Sequence, residues 1–176
     1  RDLKELGYQV GTGFMVGSPW QTMANLLEDL AFIRELQPQM IGIGPFIPHH
    51  ATHFKNYPAG TLEQTLTLLS VLRLMFPKVL LPATTALGTI VPNGRELGIL
   101  AGANVVMPNL SPADVRQNYL LYDNKLCSGA EAAEAKNDLA ARLHSIGYEI
   151  AEAAVIIRSP ENASKRSSHK YLPCAQ

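Results

Sequence analysis

The residues of this chain that can do chemistry are few and gather at the ends of short apolar runs. Gly17-Ser18, Gly44 to Phe46, Ala83 to Thr85 and Met107 to Asn109 each close such a run. Gly, Pro, Thr, Met and Asn dominate there, with hardly a charge. No carboxylate pair for acid/base work and no nucleophile beside a base stands among them. Such a composition suits a largely neutral ligand: glycine lets backbone amides and carbonyls approach it, and Met and Ile walls suit an adenine face or a thioether. Thr84-Thr85 offers two hydroxyls and adjoining amides to an anion or polar substrate, or equally serves as a β-branched strand end capping a turn.

Other candidates carry less. His49, His50 and His53 (HHxxH) supply three imidazoles, but no helix positions them and no fourth ligand is evident, so they read as a solvated loop and no metal site is assigned. Gly11-Thr12-Gly13 followed by Gly17 echoes a dinucleotide loop, yet its glycines fall inside a strand rather than at a strand-to-helix turn. Cys127 and Cys174 are the two cysteines, too far apart for a knuckle or a disulfide scaffold, and Cys127 reads as a free core thiol. Trp20, the sole tryptophan, either packs at a helix start or lids a pocket.

The elements that must position these residues follow from periodicity. Leu3, Leu6 and Gly7 read as closing turns of a helix with a Gly stop, as if the chain opened in mid-domain. Tyr8 to Val16 is β-compatible; Ser18, Pro19 and Gln21 make a capping pattern, predicting a helix from about Pro19 to Leu36 with Met23, Leu26, Leu27, Leu30 and Ile33 as its stripe. Met40 to Gly44 is a strand covered on both faces. A long Pro/His/Asn/Gly loop follows to Gly60, of a length that is disproportionately functional. Thr61 and Gln64 then cap a helix striped by Leu62, Leu66, Leu69, Leu72 and Met75. Lys78 to Ala83 reads as a strand, Thr84 to Gly94 as a loop, Arg95 to Ala101 as a helix and Ala103 to Met107 as a strand. Ser111-Pro112-Ala113-Asp114 signals another helix start, and a helix runs from Ala130 to Ile146, stopped by Gly147. Arg95 and Glu96 serve solvation or the barrel rim. This alternation predicts an α/β fold with a parallel sheet and crossover helices, as an open doubly wound sheet or a (β/α) barrel; both place ligands at the carboxyl ends of the strands.

Composition bounds the class. The 176 residues are 47% hydrophobic, enough for a sizeable core. Fifteen Lys+Arg balance fifteen Asp+Glu, so the diffuse positive field of a nucleic-acid or anionic-membrane binder is lacking. No apolar run reaches the roughly 18 residues of a membrane span, and a reducing cytoplasm is the expected location.

Four long motifs then speak together: MVGSPWQT (Met15 to Thr22), IGIGPFIPH (Ile41 to His49), PATTALGTIVPNGRE (Pro82 to Glu96) and GANVVMPNLSP (Gly102 to Pro112). In unbroken order from about Leu3 to Cys127, the chain resembles the C-terminal half of the HydE family, radical S-adenosylmethionine maturases of iron-only hydrogenases, within the biotin synthase-like group. The resemblance implies a (β/α)8 barrel of which this chain is about strands five to eight. It divides the chain into a half-barrel over residues 1–127, a C-terminal helix and short extension over 128–157, and a polar tail over 158–176, expected to be flexible. In that family a 4Fe-4S cluster held by CxxxCxxC cleaves S-adenosylmethionine to a 5′-deoxyadenosyl radical. This sequence has no CxxxCxxC, so the cluster ligands are expected outside it and the chain alone is expected to be inactive.

By resemblance, Met15, Met40, Ile43, Pro45, Phe46 and Tyr119 line the adenosine and methionine pocket, and Thr84, Thr85 and Met107 face the substrate. Cys127 matches the first cysteine of an accessory cluster, but the residues after it supply no partners. Trp20 stands where the family has a small residue. The partners implied are the other half-barrel, a small-molecule or organometallic substrate, and other hydrogenase maturation proteins. Two alternatives remain: a non-catalytic half-barrel that binds a ligand or assembles with itself, and a related synthase of the methylornithine or biotin type. The biotin type is disfavoured because Lys78 to Ala83 carries no arginine.

Overall fold

In the computed structural model the described residues are 1–108, 112, 115, 118, 121–125, 132–151 and 171–173. Among the described residues the fold is α/β and every strand pairing is parallel. After a short helix α1 (Asp2–Glu5), ended by Gly7 at φ 84°, come β1 (Gly11–Val16), α2 (Met23–Leu36), β2 (Met40–Pro45) and α3 (Leu62–Met75). Then follow β3 (Pro82–Ala83), α4 (Thr85–Ile90), α5 (Gly94–Leu100), β4 (Val105–Val106), α6 (Ala132–Ser145), β5 (Glu149–Ala151) and β6 (Tyr171–Pro173).

β1 lies along β2 from Gly11↔Met40 to Val16↔Pro45, and β3 along β4 as Pro82↔Val105 and Ala83↔Val106. A parallel bridge at Met40↔Leu80, with Ile41 N–H donating to Leu80 O and Leu80 N–H to Gln39 O, joins the two ladders in the order β1-β2-β3-β4. The strand expected over Lys78 to Ala83 is thus regular only at its end. β6 pairs with β5 inside the stretch read as a polar tail; the rest of that tail lies outside the described residues.

The core lies between sheet and helices. Ile41 and Ile43 of β2 pack in one cluster with Ile33 of α2, Leu69 and Leu72 of α3, Leu81, Ile99 and Val106. Full burial of each such side chain contributes about 1.5–3 kcal/mol. Because side chains alternate along a strand, burying Ile41 and Ile43 against helices turns Met40, Gly42 and Gly44 to the opposite, open face. Gly13 and Met15 of β1 lie on that face too.

Two expectations about helices are corrected. α2 starts at Met23 rather than Pro19: Trp20 takes a left-handed φ of 62°, which no helix accommodates. Gln21 does not cap a helix but clamps the strand end, its Oε1 accepting from Gly17 N–H at 2.7 Å and its Nε2 donating to Met15 O at 2.8 Å. The working cap is Thr22, whose Oγ1 accepts from Asn25 N–H while Asn25 Oδ1 accepts from Thr22 N–H, a capping box with Asn in the usual Glu place. The predicted loop Thr84 to Gly94 contains α4, and Gly94 can pack there because a Cβ would lie 2.0 Å from Leu87 O. α3 begins as expected, Thr61 Oγ1 accepting from Gln64 N–H.

Charged groups inside the fold tie loops to helices. Arg73 of α3 donates to four carbonyls, those of Gly102, Phe76, Pro77 and Val79. Burial lowers its pKa from the ordinary arginine value. Glu96, expected at a solvated rim, is buried instead and pairs with Arg142 of α6 at 2.5 Å, docking α6 on α5. Arg142 also donates to Pro92 O.

Candidate ligand site at the strand ends

The carboxyl ends of β1 to β4 bring several of the expected residues together. Met15 is register partner to Gly44 across β1 and β2, and is 58% exposed on the open face. Gly44 in turn meets Thr84 of the β3 end: a Cβ on Gly44 would lie 2.6 Å from Thr84 Oγ1. Thr84 Oγ1 is buried and has no hydrogen-bond partner among the described residues, although Thr84 stands at the N-cap of α4, where a hydroxyl ordinarily bonds a helix amide. Since Ala83 pairs with Val106, Met107 follows at the next step beside Thr84 and is 41% exposed. Thr85 opens α4 and its carbonyl accepts from Thr89 Oγ1.

The loop leaving β2 frames this site. Phe46 is buried, its N–H donating to Val16 O at 2.8 Å and its carbonyl accepting from Gly60 N–H at 2.8 Å, so the start of the loop is stitched to β1 and its end to its start. Gly60 is required there, because a Cβ would lie 2.0 Å from Val16 O. Above it Trp20, Phe54 and Tyr57 meet edge to face, with centroids 5.2 to 6.1 Å apart, and Phe54 meets Phe46 at 6.2 Å. Trp20 is 75% exposed, so it neither fills the core nor closes over Met15.

Other expected residues fall elsewhere. Ile43 lies in the helix-side core, 1% exposed, and not on the open face. Met40 shares the face of Gly44 but opens β2 at its amino end, four residues away, or about 13 Å by strand rise. Pro45 ends β2 and is buried. Tyr119 and Cys127 lie outside the described residues. A cavity of about 400 Å³ lies between Gln37 to Gln39 and Met75 to Leu80, at the opposite, amino ends of the strands; its lining is mainly apolar, and only Lys78 there is charged.

The long loop also holds a polar group that sequence spacing missed. His49 and His50 stack with ring centroids 4.3 Å apart, and Asp123, from beyond β4, accepts from His50 N–H at 2.8 Å and bonds His50 Nδ1 at 2.7 Å. That side-chain bond from His50 is the main reason the Asp123 carboxyl titrates below the ordinary aspartate range.

Comparison with known proteins places this arrangement. No protein-family model matches the chain. It is 50% identical over 125 residues to the FeFe hydrogenase maturase subunit HydE of Thermotoga maritima, covering 71% of this chain and 36% of that protein. It is 32% identical over 126 residues to the 3-methylornithine synthase of Methanosarcina barkeri, covering 72% of this chain and 35% of that protein. The crystal structure of methylornithine synthase (PylB) superposes with a TM-score of 0.66 at 28% identity, over 84% of this chain and 42% of that one. Over these residues the chain is similar to part of a radical S-adenosylmethionine protein. It spans about a third of the length of the curated relatives it matches. Within a radical S-adenosylmethionine protein the α/β layout and the parallel order β1 to β4 are as expected. No helix among the described residues is long and apolar enough to cross a membrane.

Proposed function

We propose that this chain is the cofactor- and substrate-binding half of a HydE-like radical S-adenosylmethionine enzyme of hydrogenase maturation, forming about strands five to eight of a (β/α)8 barrel. The observation that carries the reading is the cradle at Gly44 and Thr84. A glycine that leaves room, a buried hydroxyl without a partner among the described residues and an exposed thioether at Met15 together ask for a ligand with polar and apolar parts. Identity of 50% to the Thermotoga maritima protein supports the maturase over a methylornithine-type synthase, for which it is 32%.

S-adenosylmethionine fits that cradle. When bound in this family and reduced by a cluster, it supplies a 5′-deoxyadenosyl radical. Thr84 Oγ1 would donate to or accept from its polar part, Met15 and Met107 would offer apolar wall, and the amide and carbonyl at Gly44 could come close. Phe46 and the loop it anchors would exclude water on one side. Thr85, one residue into α4, stands towards the substrate. A 4Fe-4S cluster does not fit this chain, since two cysteines cannot make CxxxCxxC. Its ligands and the first barrel strands would come from the partner half, with which the chain works in a reducing cytoplasm alongside other maturation proteins.

The test is reconstitution. The chain alone should bind S-adenosylmethionine without cleaving it. Adding a half-barrel that carries CxxxCxxC and a reduced cluster should yield 5′-deoxyadenosine. Failure of the Thr84→Val variant to weaken binding would overturn the site, and cleavage by the chain alone would overturn the division of labour.

A further inference from the structure

We propose that His49, His50 and Asp123 form a site for one divalent transition-metal ion of borderline softness, such as Zn²⁺, Co²⁺ or Ni²⁺, that clips the β2–α3 loop to the turn beyond β4. Each of the three residues offers a ligand atom, and these atoms lie within 4.8 Å of one another. Two imidazoles and a carboxylate are the donor set such ions favour, with water completing the shell.

Three features make this more than proximity. Asp123 is already fixed against the loop, its carboxylate accepting from the backbone and ring of His50 and its own N–H donating to Pro48 O. The two rings are held nearly parallel, 25° apart, which brings two basic nitrogens beside one anion. The lone pair of His49 Nδ1 accepts from Ala51 N–H at 3.1 Å, a contact a metal bond would outcompete. Metal bonds of about 2.1 Å at a tetrahedral angle set donor atoms roughly 3.4 Å apart, so the triad has to close by at most about 1.4 Å. His50 is exposed, so no packed core opposes that adjustment. The ion takes the place of the hydrogen between His50 Nδ1 and Asp123, the imidazole then carrying its hydrogen on Nε2.

The HHxxH spacing is not the site. His53 is absent from the cluster, and the third ligand comes from 73 residues beyond His50. The site is independent of the radical chemistry proposed above, and its test needs neither cofactor nor turnover. The untagged chain is titrated with Co²⁺ and followed by visible absorption, with Zn²⁺ binding measured by calorimetry. One ion per chain is expected, with affinity lowered about tenfold or more in Asp123→Ala and His50→Ala and unchanged in His53→Ala. Circular dichroism should be the same for all variants, because these side chains lie outside the core. Absence of Co²⁺ bands, binding that survives Asp123→Ala, or binding lost in His53→Ala would each overturn the site.

Discussion

Gly44 and Thr84 occupy adjacent strand ends so closely that one Cβ more would bring the former to 2.6 Å from the hydroxyl of the latter. The glycine keeps the hydroxyl unobstructed, and among the described residues that hydroxyl is buried without a partner. A structure tolerates such a group where a ligand can satisfy it.

Gly44→Ala should therefore destabilise the chain by about 1–3 kcal/mol through overlap with Thr84. Adding Thr84→Ala should restore most of that stability, since the two effects share one contact. Thr84→Ala alone should leave the melting temperature nearly unchanged while lowering S-adenosylmethionine affinity about fivefold, the loss of one neutral hydrogen bond. Thermal melts and calorimetric titration of the three variants separate the effects.

Gly60→Ala is expected to be more damaging than its size suggests. Its Cβ would drive into Val16 O, the acceptor of the Phe46 amide, so one methyl breaks a backbone bond and pushes the loop off β1. A loss of about 3 kcal/mol in urea unfolding is expected.

Replacing Arg73 by Met keeps an apolar stem and removes the donors to four carbonyls. Some of those carbonyls can rehydrate, so the expected cost is about 2–3 kcal/mol. Arg73→Lys should recover less than half, because an ammonium cannot span acceptors on two loops as a planar guanidinium does. Denaturant midpoints of the two variants check this.

Glu96→Ala should loosen α6 rather than unfold the core. The substitution strands Arg142, which is partly exposed, so the penalty is discounted to about 2 kcal/mol. Hydrogen exchange should quicken along residues 137–145 while Leu69 and Leu72 keep their protection.

The alternation of strands and helices was legible because β2 is a short apolar run ended by proline and α3 has a clean cap and stripe. The placement of candidates was legible in outline: Met15, Thr84 and Met107 each stand at the carboxyl end of a strand. Ile43 lies apart because alternation turns it to the helix side, and Met40, although on the open face, lies apart because it opens β2 at the amino end. α2 began late because a positive φ at Trp20 has no signature in sequence, and Gln21 had a better partner in the strand end. α4 was hidden by its brevity and its glycines. Asp123 and His50 had no periodicity to connect them; only the packing of two loops brings them together.

The exposed indole of Trp20, the sole tryptophan, lies 5.2 Å from the ring of Tyr57 and beside the loop that frames the strand ends. The chain thus carries its own optical reporter. Emission excited at the red edge comes from this one position, and tyrosine excitation reaches it by energy transfer within the cluster. Any event that shifts the loop, whether cofactor binding at Gly44 and Thr84 or metal binding at His49, His50 and Asp123, should register as a change in colour or anisotropy without a label.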